Sequence, residues 1–138
     1  MTQRKWILPL AWAVVIFITS STVVPSRTFV HAVATAAPGA ITEDSFRLFW
    51  RQWWWLFVKG YHALEFGILA LLLRRWLAAH PIWVPALAAA CYAATDELHQ
   101  ILVPERGARF TDWVIDCAGI AAALLLALVI QSRQKHER

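Results

Sequence analysis

Charge is scarce in this chain. Only 16% of its 138 residues are Asp, Glu, Lys or Arg, whereas 59% are hydrophobic and nine are Trp. Soluble domains carry about 25% charged residues, so this composition argues against one. Cysteine is almost as rare. Cys91 and Cys117 both fall inside apolar stretches, which excludes a disulfide framework and suits small buried thiols. No Gly-rich phosphate loop, GxSxG nucleophile elbow, CxxC pair or nucleic-acid motif is present. The formal charge of +4 does not require a nucleic-acid partner, because Lys and Arg gather at the ends of apolar runs. Basic residues there are what membrane topology demands.

Those apolar runs are the main feature of the chain. Arg4 and Lys5 precede a run over about 6–24, near bilayer length, with Pro9 in its first turn. A signal peptide cleaved near Ala34-Thr35-Ala36 is the competing reading. The run is longer than a usual signal core and lies well upstream of that site, so a retained first span is preferred. Residues 25–42 mix Pro, Gly, Ala, Ser and Thr and read as a loop. Phe46, Phe49, Trp50, Trp53, Trp54 and Phe57 then recur with helical spacing, with Arg47, Arg51 and Gln52 off the stripe. Thr42 is the expected N-cap, followed by Glu43 and Asp44. This predicts an interfacial amphipathic aromatic helix over about 43–55, with an aromatic belt running directly into the next span as the alternative.

Three more spans follow, over about 56–73, 82–103 and 113–130. The expectation is therefore a single domain over 1–138: an all-α integral membrane bundle of four transmembrane helices. Gly119, Ala122 and Ala123 would let the last span approach the Ala-rich third closely. Arg4, Lys5, Arg74, Arg75, Arg133, Lys135 and Arg138 fall on one side, against Arg27, Arg47, Arg51, Lys59, Arg106 and Arg109 on the other. The first set sits tightly at span ends, which places both termini in the cytoplasm.

With that topology, three helices deliver polar residues to one depth in the outer half of the membrane. Lys59, His62 and Glu65 come from the second span, Asp96, Glu97, His99 and Gln100 from the third, and Asp112 and Asp116 from the fourth. Asp96, His99 and Gln100 share a helix face at i, i+3, i+4. Ionisable groups inside a bilayer persist mostly where they pair, line a cavity or act on something. A carboxylate and a His in low dielectric suit acid/base work, with Asp96, Glu97 and His99 as the catalytic candidates. The same pocket read as a binding site would use Lys59, His62, Glu65, Gln100, Arg106, Arg109, Asp112 and Asp116, with the Arg side chains suited to a lipid phosphate. A divalent metal on His62, His99 and Glu97 is not favoured, since buried His and carboxylates can satisfy one another. The remaining alternative is a network that only locks the helices together. A solute or proton route is disfavoured, because the inner halves of the spans have no polar track.

Lys59-x-x-His62-x-x-Glu65-Phe66, then Asp96-Glu97-x-His99-Gln100 with Pro104 and Arg106, then Asp112 to Gly119, resemble the VanZ-like family. The resemblance covers about residues 54–130, with the Ile-Phe-Ile-Thr-Ser-Ser end of the first span a looser match. The family often has Asp where this chain has Val58, Gly where it has Glu105, and Asn where it has Asp116. The resemblance implies a small multi-pass protein of the bacterial cytoplasmic membrane. The family's name member is associated with low-level teicoplanin resistance. The expected partner is a membrane lipid or lipid-linked cell-wall precursor, held and in one version modified at the outer leaflet.

Overall fold

The computed structural model describes residues 4–37, 39 and 41–136. It contains five helices and, among the described residues, no strand: α1 (Ile7–Ser21), α2 (Ser26–Ala36), α3 (Glu43–Trp76), α4 (Trp83–Gln100) and α5 (Phe110–His136). Ile16 of α1, Phe66, Leu69 and Ala70 of α3, Ala89 and Ala93 of α4, and Ile120 and Leu124 of α5 form one buried core. Around that core the surface is apolar, with Leu125 and Leu126 each 61% exposed. An apolar exterior of this kind faces lipid, not water.

The all-helical expectation holds, and of the four expected spans two to three stand out by length and hydropathy among the described residues. By length and hydropathy α3 and α5 can cross a membrane, and α1 with α2 makes a third candidate if the bent pair counts as one. α1 has 15 residues, about 22 Å at 1.5 Å per residue, short of a hydrocarbon core of about 30 Å. α4 has 18 residues, but Asp96, Glu97, His99 and Gln100 occupy its last two turns.

Three boundaries differ from expectation, each for a local reason. Residues 25–42 are not a loop throughout, because α2 occupies Ser26–Ala36 and meets α1 at 108°. Pro25 disfavours helix at Val24 and starts α2, so proline here punctuates two helices and does not mark a long loop. Phe29 on α2 packs on Trp50 at 4.4 Å and on Phe46 at 6.0 Å between ring centroids, and Val30 is buried. This burial gives the short helix a tertiary support that composition does not reveal. The interfacial helix and the second span are one continuous helix: α3 runs for 34 residues, about 51 Å. No proline or turn residue separates Trp55 from Leu56, so nothing breaks the backbone pattern where the surroundings change. Thr42 caps it, accepting from the Ser45 N–H at 3.3 Å, as its sequence predicts. At the far end, α4 stops at Gln100 and three 3₁₀-type bonds carry the chain from Ile101 to Val103 before Pro104.

The small residues of α5 also find a different neighbour. Gly119 faces α3: a Cβ there would collide with the Ala63 backbone carbonyl, and a Cβ at Gly67 would meet Gly119 O at 3.2 Å. Ala122 is exposed. The α3–α5 contact is the largest between helices, as expected when small residues let two backbones approach. Gly119→Ala should therefore force α3 and α5 apart and cost about 1–3 kcal/mol, read as a lower Tm in detergent. Gly60→Ala, where a Cβ meets nothing within 4 Å, should hold or slightly raise Tm. Equal Tm for the two variants would refute the close crossing.

Candidate functional site

The two ends of the bundle differ sharply in chemistry. At one end Lys5, Arg74 and Arg75 surround a recess of about 440 Å³ together with Gln131 of α5. Arg133 and Lys135 lie in the last turn of α5, while Arg138, which the sequence assigns to the same side, lies outside the described residues. The other end gathers every acidic residue of the pocket predicted from the sequence.

The last turn of α1 supplies hydrogen-bonding partners to that end. Thr19 Oγ1 lies 2.9 Å from Glu65 Oε1. Ser20 donates to Asp96 Oδ2 at 2.8 Å, and Gln100 Nε2 donates to the same oxygen at 3.0 Å. Ser21 Oγ is 3.0 Å from His99 Nε2, and Arg106 donates to the Thr22 carbonyl at 2.9 Å. Ser20, Glu65, Asp96, Glu97 and Gln100 are all at most 6% exposed. A buried carboxylate without donors is costly, so these hydroxyls set where α1 can sit. Asp96 and His99 thus meet adjacent residues of α1, as their shared helix face predicts. The run Thr19-Ser20-Ser21, in sequence only a looser family match, is a part of the site that spacing did not assign. Its signal was three consecutive hydroxyl residues closing an apolar span.

The opposite side of α4 faces α5. Arg109 donates its backbone N–H to Glu97 Oε2 at 2.8 Å. Lys59 of α3 pairs with Asp112 Oδ1 of α5 at 2.7 Å, with both side chains 30% exposed. One turn deeper, Asp116 is wholly buried, and neither of its carboxylate oxygens has a hydrogen-bond partner among the described residues. Glu97 Oε1 and His62 Nδ1 are likewise buried without partners.

A cavity of about 420 Å³ joins these groups, lined by Lys59, His62, Gln100, Arg106, Arg109, Asp112 and Asp116, with Trp50 and Trp54 at its rim. A second, of about 640 Å³, shares His62, Arg106, Val58 and Trp50 with it and extends along Leu56, Phe57, Tyr61 and Leu64 to Glu65. A third, of about 660 Å³, lies between α2 and α3 around Arg27, Arg51, Trp50 and Trp54. Of the ligand-binding candidates, Glu65 alone lies in the second cavity and not the first. Asp96, Glu97 and His99 line none of these three cavities. His99 packs against Phe17, 4.6 Å between ring centroids. His62, Glu97 and His99 do not converge, and no group of three His, Cys, Asp or Glu among the described residues is placed to hold a metal ion.

Glu105 has φ 65°, the left-handed region, immediately before Arg106. Glycine adopts that conformation freely, and the VanZ-like resemblance places glycine at this position. Glu105→Gly should therefore keep or raise Tm, whereas a β-branched residue, in Glu105→Val, should lower it. Ser20→Ala removes one of two donors to buried Asp96 and should cost about 1–3 kcal/mol. Unfolding of these variants in detergent checks both expectations, and an unchanged Ser20→Ala would mean that α1 does not dock through Asp96.

The VanZ/LLP1 family profile matches residues 5–131, nearly the whole chain. No curated protein and no solved structure matches it. The match begins in the turn before α1, so it takes in the hydroxyl-bearing helix as well as the acidic blocks on α3, α4 and α5. The chain belongs to the VanZ/LLP1 family of membrane-type helical proteins.

Proposed function

We propose that this protein holds a lipid-linked or polar cell-envelope molecule in the cavity at its polar end, on the outer leaflet of the bacterial cytoplasmic membrane. One observation carries the reading. Arg106 and Arg109 line a cavity of about 420 Å³ with Lys59 and Asp116, and neither Arg makes an ion pair among the described residues. Arg suits a phosphate, and cavities of about 300–1,000 Å³ are of ligand size. A membrane protein with this feature next to a lipid-facing aromatic surface is suited to phosphate-bearing lipids. The link to teicoplanin resistance belongs to the same proposal, since the relevant target would be an envelope precursor of this class.

In the proposed topology all four longer helices cross the bilayer. α1 and α4 join because Ile16, Ala89 and Ala93 share the core with α3 and α5. The basic recess at Lys5, Arg74 and Arg75 then faces the cytoplasm, with both termini. A second reading, a purely structural polar lock, draws on Asp96, whose Oδ2 accepts from both Ser20 and Gln100. Modification of the bound molecule is the enzyme version of the first reading, with Glu97 as the candidate base because its Oε1 is unpartnered among the described residues.

Native mass spectrometry of detergent-purified protein separates these. A phospholipid or polyprenyl-phosphate adduct should be retained by the wild type and bound about 10–100-fold more weakly by Arg106→Ala, the worth of one charge-assisted hydrogen-bonded pair. Bare, folded protein in both cases would leave the structural lock as the surviving reading. Glu97→Gln with binding kept and any conversion of the lipid lost would identify an enzyme.

A further inference from the structure

The two cavities at the polar end adjoin at Trp50, Val58, His62 and Arg106, and their linings are of three kinds in order. The larger is apolar along Leu56, Phe57 and Leu64, which are 48%, 51% and 60% exposed and so open sideways to the acyl region. Arg106 and His62 stand at the junction, lining both cavities. The smaller leads from there to Asp116, whose buried oxygens have no donor among the described residues. Lys59 does not answer Asp116, since it is engaged with Asp112. Whatever fills the cavity is placed to supply the missing donor. Lining the smaller cavity, Glu105, Asp112 and Asp116 balance Lys59, Arg106 and Arg109, which suits an occupant carrying one charge of each sign.

Resting on the reading that a phosphate-bearing lipid fills this site, we propose that the occupant is a zwitterionic aminophospholipid: acyl chains in the apolar groove, phosphate at Arg106, primary ammonium at Asp116. The order along such a lipid, from tail to phosphate to ammonium, is the order of the linings. Phosphatidylglycerol has the same tail and phosphate but no cationic tip. Phosphatidylcholine has the cation but no N–H to give the unpartnered carboxylate.

The test is competition among these three lipids for the full-length protein. Equimolar phosphatidylethanolamine, phosphatidylglycerol and phosphatidylcholine are exchanged in mixed micelles, and the adducts are read by native mass spectrometry. Phosphatidylethanolamine should exceed each of the others by about tenfold. Asp116→Asn keeps the shape and removes the charge, and should level the three adducts without abolishing them. Equal retention of all three by the wild type would overturn the ammonium assignment and leave the phosphate reading standing. No adduct with any lipid would remove both. If Asp116→Asn does not fold, the wild-type competition decides alone.

Discussion

A carboxylate placed in an apolar bundle must find donors there, because neither lipid nor core side chains can supply them. That constraint organises the polar end of this protein. Asp96 is met by Ser20 and Gln100, Glu65 by Thr19, Glu97 by the Arg109 backbone, and Asp112 by Lys59. Each of these partners comes from a different helix or loop than the acid it serves, apart from Gln100. The position of α1 against α3 and α4, and the path of the loop before α5, follow from those pairings as much as from the apolar core.

Asp116 departs from the pattern. It lies on the α5 face toward α3, three residues before the Gly119 contact with Ala63. Lys59 and His62 of α3 line the same cavity, but neither hydrogen-bonds its oxygens, and Lys59 is engaged with Asp112. Hydrogen-bonding capacity is thus satisfied on the α1 side of α4 and left open on the α5 side. The asymmetry separates the part of the network that holds helices from the part that faces a cavity.

Much of this was legible in the residues. Helical periodicity, the basic residues of one end and the gathering of Lys59, His62, Asp96, Asp112 and Asp116 at the other all follow from spacing and hydropathy. Helix boundaries were less legible. A prolyl break at Pro25 and a turn at Gly39 look the same in sequence whether they flank a helix or a loop, and α2 depends on Phe29 meeting Trp50 across the chain. The 34-residue continuity of α3 was hidden for the opposite reason, since a change of environment at Trp55 leaves no mark on the backbone. The partners of Gly119 were not readable at all, because a small residue records that something is close and not which helix it is.

The hydroxyls of α1 have a second set of contacts that lessens their dependence on neighbouring helices. Thr19, Ser21 and Thr22 can each turn back to carbonyls of their own helix, at Val15 or Ile16, Phe17 and Ile18. α1 therefore satisfies those three hydroxyls by itself, and Thr19 and Ser21 share theirs with Glu65 and His99. α4 has no such reserve: Asp96 and Glu97 are half-matched at best until α1 and the loop before α5 arrive. The dependence between the two helices is thus one-sided: those three hydroxyls of α1 need no neighbour, whereas the acids of α4 need both α1 and the loop before α5.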